Sequence, residues 1–138
     1  MRTVLDTNVV ISSFLWGGAP SRLLKDASVA GMQIFTSLPL VEELRETISR
    51  SKFCNRLQFS NLSVEVLVDL YLDRVTVVEP VLTPRLAPDP DDDVVIGTAL
   101  AARAEIIVTG DRALLSVGDF TGGRIVSVIE ALAVHGLS

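Results

Sequence analysis

A parallel α/β sheet covered by helices on both faces is the fold class that this sequence predicts. Three observations carry the prediction. Short apolar runs at Thr3–Leu5, Ile34–Thr36, Val75–Val78, Ile106–Thr109 and Arg124–Val128 read as buried strands. Helical patterns separate these runs, and such alternation marks a parallel sheet built from crossover units. Two of the runs end in an acid, at Leu5-Asp6 and at Val108-Thr109-Gly110-Asp111. Ligands of open parallel sheets bind outside the carboxyl ends of the strands, so acids there are well placed to hold a cation. At 138 residues, the chain reads as one domain, 1–138, large enough to bury a core.

The elements follow in order. The opening run is too short for length alone to separate strand from helix, but the polar Asp6-Thr7-Asn8 cluster after it favours a strand tip. A short helical piece, Val9 to Phe14, runs into the turn Trp16-Gly17-Gly18-Ala19. Pro20 and Ser21 then open a helix with Leu23, Leu24, Ala27 and Ala30 on one side, stopped near Gly31. After the second strand Ser37 caps a helix, and Pro39 sits in its first turn, where a missing N–H costs nothing. Leu40, Val41, Leu44 and Ile48 form the buried stripe of this helix, and Glu43 falls nearer its edge than Glu42 or Glu46.

Ser49 to Leu62 reads as a short helix and a loop. Ser63 caps the next helix, which runs through Leu72 with Leu67, Leu70 and Tyr71 facing inward. Pro80, Pro84 and Pro88 make Glu79 to Asp89 extended and stiff, a connection within the domain. It delivers the chain to Asp89-Pro90-Asp91-Asp92-Asp93 and a helix reaching about Ala104. A short helix near Leu114, a turn at Gly122-Gly123, the last strand and a terminal helix complete the chain.

Composition narrows the chemistry. The apolar fraction of 49% suits a globular domain, and no apolar run is long enough to cross a bilayer. Asp6 interrupts any signal-peptide layout, and the single cysteine, Cys54, fits a reducing cytoplasm as a small half-buried residue. The single histidine, His135, removes histidine triads, two-histidine zinc helices and Cys₂His₂ sites from consideration. A net charge of −5 argues against a large non-specific nucleic-acid surface while leaving room for a local basic strip. What remains is carboxylate and metal chemistry, or none.

Asp6 and Asp111 converge on one edge if their strands are neighbours. The proline segment gives the helix of Asp91 to Asp93 the freedom to begin at that edge as well. Asp6, Glu43, Asp93 and Asp111 would then share one pocket, where like charges raise each other's pKa and a hard divalent cation relieves them. Such an ion activates water and stabilises charge developing on a phosphate, so these residues support metal-assisted phosphodiester hydrolysis. Each acid also has a plainer role. Asp6 and Asp111 are sound helix caps, Asp91 to Asp93 complement a helix dipole, and Glu43 fits a solvated face with Glu42, Arg45 and Glu46.

Taken together, several stretches resemble the PIN-domain ribonucleases, and more narrowly the PIN-type toxins of type II toxin–antitoxin pairs. They are Val4-Leu5-Asp6-Thr7-Asn8-Val9, Thr36-Ser37 followed by Glu42-Glu43-Leu44-Arg45, Arg50-Ser51-Lys52-Phe53, Asp93-Val94-Val95-Ile96 and Val108-Thr109-Gly110-Asp111. The resemblance implies a PIN-like three-layer α/β/α fold with a central parallel five-stranded sheet of order 3-2-1-4-5. It also implies that the third acidic helix begins at the acidic edge. Asp6, Glu43, Asp93 and Asp111 would be the catalytic, metal-binding acids for Mg²⁺ or Mn²⁺, the Asp-x-x-Ile spacing favouring Asp93 over Asp91 and Asp92. Thr7, Asn8 and Thr109 would brace them by hydrogen bonds.

The implied protein is a cytoplasmic endoribonuclease, held inactive by a cognate antitoxin, and a homodimer through the apolar helices of its first half. Arg45, Arg50, Lys52 and Arg56 would meet RNA phosphates, or lie simply solvated. Trp16 would stack on a base or fill a hydrophobic contact. The alternative is a catalytically quiet PIN-like module that binds RNA or protein. Phosphotransfer folds fit poorly: the dehalogenase pattern wants Asp where Asn8 stands, and the final third lacks the lysine of a receiver domain.

Overall fold

The computed structural model describes residues 1–26, 31–50, 63–82, 90–134 and 136. In chain order these form β1 (Arg2–Leu5), α1 (Thr7–Leu15), α2 (Ala19–Asp26), β2 (Gln33–Thr36), α3 (Leu38–Ile48), α4 (Val64–Leu72) and β3 (Val75–Val77). They continue as α5 (Pro90–Ala102), β4 (Ile106–Val108), α6 (Arg112–Val117), β5 (Asp119–Phe120), β6 (Gly123–Val126) and α7 (Val128–Val134). The expected Ala27, Ala30, the stretch from Ser51 to Leu62, Cys54 and His135 lie outside the described residues.

One sheet of order β3-β2-β1-β4-β6-β5 organises the domain. All its pairs are parallel except β5 with β6. The parallel part is the expected arrangement with the first strand inside, and β6 is the expected fifth strand. The added β5 is a two-residue antiparallel strand closed by the Gly122-Gly123 turn. A strand that short has no periodicity to read in sequence.

Successive residues along the strands point to opposite faces. Leu5, Ile34, Ile106, Val108 and Val126 pack on one side against α1, α2, α3, α4 and α7. Val4, Phe35, Ile107 and Ile125 pack on the other against α5 and α6. Both faces are buried, which is why the strands carry apolar runs without alternation.

Helix α5 ends at the amino edge of the sheet. The Arg2 guanidinium lies over the Phe35 ring at 4.3 Å, and its Nε donates to the carbonyl of Ala102. Glu105 N donates to Arg2 O at 2.8 Å as the chain enters β4. A helix that ends there and packs along the strands must begin at the carboxyl edge, where the acids are. The segment before it is held too: Val81 N donates to Gly97 O at 3.0 Å. A Cβ on Gly97 would overlap the Val81 carbonyl, so this approach requires glycine.

In α4 the expected capping is present, with Ser63 Oγ accepting from Val66 N at 3.1 Å. Its inward residues are Leu67, Val68 and Tyr71, while Leu70 is 41% exposed. Every position from Val66 to Leu72 except Asp69 is apolar or aromatic. The pattern therefore fixes the Leu67–Tyr71 line without choosing between its two flanks.

Candidate metal centre at the carboxyl edge

Strand β1 lies beside β4 with Leu5 opposite Val108. The next residues, Asp6 and Thr109, therefore emerge side by side. Asp6 N donates to Val108 O at 2.9 Å, one last rung of the ladder before α1 begins. Asp6 is the N-cap of α1, and its Oδ1 accepts from Thr7 N at 2.8 Å. Its Oδ2 accepts from the Thr109 hydroxyl at 2.7 Å. That hydroxyl in turn accepts from Asp111 N at 3.0 Å. Asp111 caps α6 through Oδ1, which accepts from Ala113 N at 2.9 Å.

On the other side, the Thr7 hydroxyl donates to Glu43 Oε2 at 2.9 Å. A continuous chain of bonds thus joins Glu43, Thr7, Asp6, Thr109 and Asp111, drawn from β1, α1, α3 and the β4–α6 junction. Capping and clustering are compatible, because each carboxylate oxygen has a lone pair left after one hydrogen bond. Asn8, one residue beyond Thr7, is exposed.

Asp6 is only 7% exposed. Burial pushes its carboxyl above the ordinary aspartate value, opposed by the bonds from Thr109 and Thr7 and reinforced by the charge of Asp111. The charge of Asp111 is the smallest of these influences. A buried carboxyl beside a half-buried one of like charge is relieved by a proton or by a cation.

Glu43 is half-buried, whereas Glu42 and Glu46 are exposed, as its place at the edge of the α3 stripe requires. It lines a pocket of about 220 Å³ with Pro39, Leu40, Glu42, Glu46 and Val94. Through Pro39 and Val94 this adjoins a groove of about 460 Å³ lined also by Asp93, Glu79, Pro80, Val81 and Leu82. Asp93 stands on that wall, at the start of α5. Its neighbour Asp92 is 8% exposed. The difference follows the helix: Asp92 precedes Val95, Ile96 and Ala99 by three, four and seven residues, and all three are buried. That signal was available in sequence, alongside the Asp-x-x-Ile spacing that points to Asp93.

Among the described residues, no group of three or more His, Cys, Asp or Glu side chains stands close enough to form a ready-made metal cage. The basic candidates differ in availability. Arg45 bridges α3 to α4, with contacts of 2.6 Å to Glu42 and 2.8 Å to Glu65. Arg50 is exposed beyond α3, and Lys52 lies outside the described residues. Trp16 is 42% exposed after α1. No described helix is long and apolar enough to cross a membrane.

No curated protein matches this sequence. Among solved structures, the chain is similar to one in the crystal structure of VapBC2 from Rickettsia felis bound to a DNA fragment from their promoter. The TM-score is 0.62 at 14% identity, covering 92% of this chain and 98% of that one, a likeness of fold. A family model described as PIN domain matches residues 2–113, from β1 through the Asp111 cap. Since that match takes in the greater part of the chain and every acid of the carboxyl edge, the protein belongs to the PIN-domain family.

Proposed function

We propose that this protein is a divalent-metal-dependent endoribonuclease that hydrolyses RNA phosphodiester bonds, and the toxin of a type II toxin–antitoxin pair. The observation that carries the reading is the bonded chain from Glu43 through Asp6 to Asp111. Its donor set is all carboxylate oxygen, which suits Mg²⁺ or Mn²⁺. The lack of a preformed cage among the described residues is compatible with such an ion, since Mg²⁺ keeps several waters and takes one or two carboxylates directly. When bound, the ion supplies an activated water and charge stabilisation at the phosphate.

The chain's own residues do the rest. Thr109 and Thr7 N hold the Asp6 carboxylate in one orientation, and Thr7 holds Glu43 toward it. Asp93 extends the acidic wall along the groove. Asp111 adds negative charge that favours a cation over a proton at Asp6. Arg50, exposed beyond α3, meets RNA phosphates, with Lys52 a further candidate by its sequence, whereas Arg45 would first have to leave two carboxylates. The neighbouring VapBC2 structure is a complex, which supports an antitoxin partner for this chain. A homodimer and a cytoplasmic setting belong to the same reading.

One observation favours the second reading, a quiet PIN-like binding module: the described acids do not already form a three-ligand site. Turnover separates the two. Cleavage of single-stranded RNA in Mg²⁺, lost in EDTA and lost in a folded Asp6→Asn variant, supports hydrolysis. RNA binding without cleavage in any divalent metal supports the binding module.

A further inference from the structure

Helices α3 and α5 carry Glu43 and Asp93 from opposite faces of the sheet, and one buried contact ties them together. Ser37 Oγ and Thr98 Oγ1 lie 2.8 Å apart. Both residues are fully buried. Ser37 stands at the N-cap position of α3, yet its side chain makes no capping bond. Pro39 removes one of the two N–H groups that a cap accepts from, while Leu40 N remains within α3. The hydroxyl turns instead to Thr98 on the neighbouring helix.

The direction of the bond follows from counting protons. The Thr98 hydroxyl donates its one proton to Val94 O at 2.8 Å, within α5. It has no second proton, so Ser37 is the donor to Thr98. A directional bond between helices fixes their separation and register. Replacing both partners by apolar groups of the same shape is nearly neutral for stability but removes the directional preference.

We propose that Ser37 and Thr98 are positioning residues that hold Glu43 at a fixed distance from the α5 acids, and so set divalent-ion affinity. The inference rests on the metal-centre reading above. Neither hydroxyl touches the ion; they act through the helices that bear the ligands. Groups bonded directly to a metal ligand typically change affinity by about 10- to 100-fold when removed, and Ser37 and Thr98, one step further back, are expected at the lower end of that range.

The test is Mn²⁺ titration calorimetry, with thermal melting in parallel, on four proteins: wild type, Thr98→Ser, Ser37→Ala/Thr98→Val and Leu132→Ala. Thr98→Ser keeps the hydroxyl and retains wild-type affinity. The double variant melts near the wild-type temperature but binds Mn²⁺ about 10-fold more weakly. Leu132→Ala, on the buried face of α7, melts lower yet binds normally. A double variant that binds Mn²⁺ as wild type does overturns the positioning role while leaving the metal centre intact. Wild type that fails to bind Mn²⁺ overturns the metal centre and this inference with it. Should the double variant not fold, Ser37→Ala alone decides, because it leaves a buried acceptor rather than a buried donor without its partner.

Discussion

Asp6 works against the stability of the domain that holds it. Its folded pKa lies above the ordinary value of 3.8, chiefly through burial. Well below that value both folded and unfolded states are protonated, and the group has no effect. As pH rises past it, the unfolded state loses its proton first, so stability falls until the folded carboxyl also ionises and then stays lower. Asp6→Asn removes this penalty. The variant is expected to be more stable than wild type at neutral pH and to lose the decline just above pH 3.8, read by urea denaturation across pH.

Thr109 gives the opposite result. Thr109→Val strips a donor from Asp6 and an acceptor from Asp111 N, and the expected cost is about 1–3 kcal/mol, with Thr109→Ser close to wild type in the same assay. A stabilised but inactive Asp6→Asn beside a destabilised Thr109→Val separates ligand from brace. Acids at two strand tips were legible in sequence, because a polar residue ending an apolar run is conspicuous. Their shared threonine bonds were not, because they depend on which strands are neighbours.

Among the elements, α5 depends most on a contact far from its own sequence. Its Gly97 carbonyl receives the Val81 N–H, and the missing side chain lets that segment lie flat on the helix. Gly97→Ala places a methyl group against the Val81 carbonyl oxygen, and overpacking of this kind costs about 1–3 kcal/mol despite alanine's better helix propensity. Denaturant unfolding reads the loss; a variant as stable as wild type would mean that the segment yields without cost. Proline spacing in sequence predicts a stiff connection, whose Pro84 and Pro88 lie outside the described residues, and says nothing of the bond from Val81 to the following helix.

The Ser63 cap is a conventional case, and Ser63→Ala should cost about 1 kcal/mol. Ser37 looks identical in sequence and does something else. A Ser ahead of a helix is a strong local signal, and only tertiary structure decides whether its hydroxyl turns inward along the helix or outward to a neighbour. Leu70 turns outward and Val68 inward for a related reason: with only Glu65 and Asp69 polar, the helix pattern does not choose between the two flanks of the Leu67–Tyr71 line.

For the whole molecule, a net charge of −5 and an acidic carboxyl edge point in one direction. Removing acid charge, or covering it with a divalent ion, relieves repulsion. Because a proton and a metal compete for Asp6, Mn²⁺ affinity should rise with pH until the folded carboxyl, raised above its ordinary value by burial, is ionised, and then level off. Ion binding confined to the native state should also raise the melting temperature in proportion to the logarithm of Mn²⁺ concentration. The sheet order was legible only through family resemblance. Apolar runs identify strands but carry no record of which strand lies next to which.

The central claim is that carboxylates distant in sequence hold one divalent ion at the end of β1. Anomalous diffraction from crystals soaked in Mn²⁺ tests it directly. The account predicts an anomalous peak about 2 Å from an Asp6 carboxylate oxygen, with Asp111, Glu43 or an α5 acid as a direct or water-bridged ligand. No peak at saturating Mn²⁺, or a peak bound elsewhere with Asp6 vacant, would contradict it.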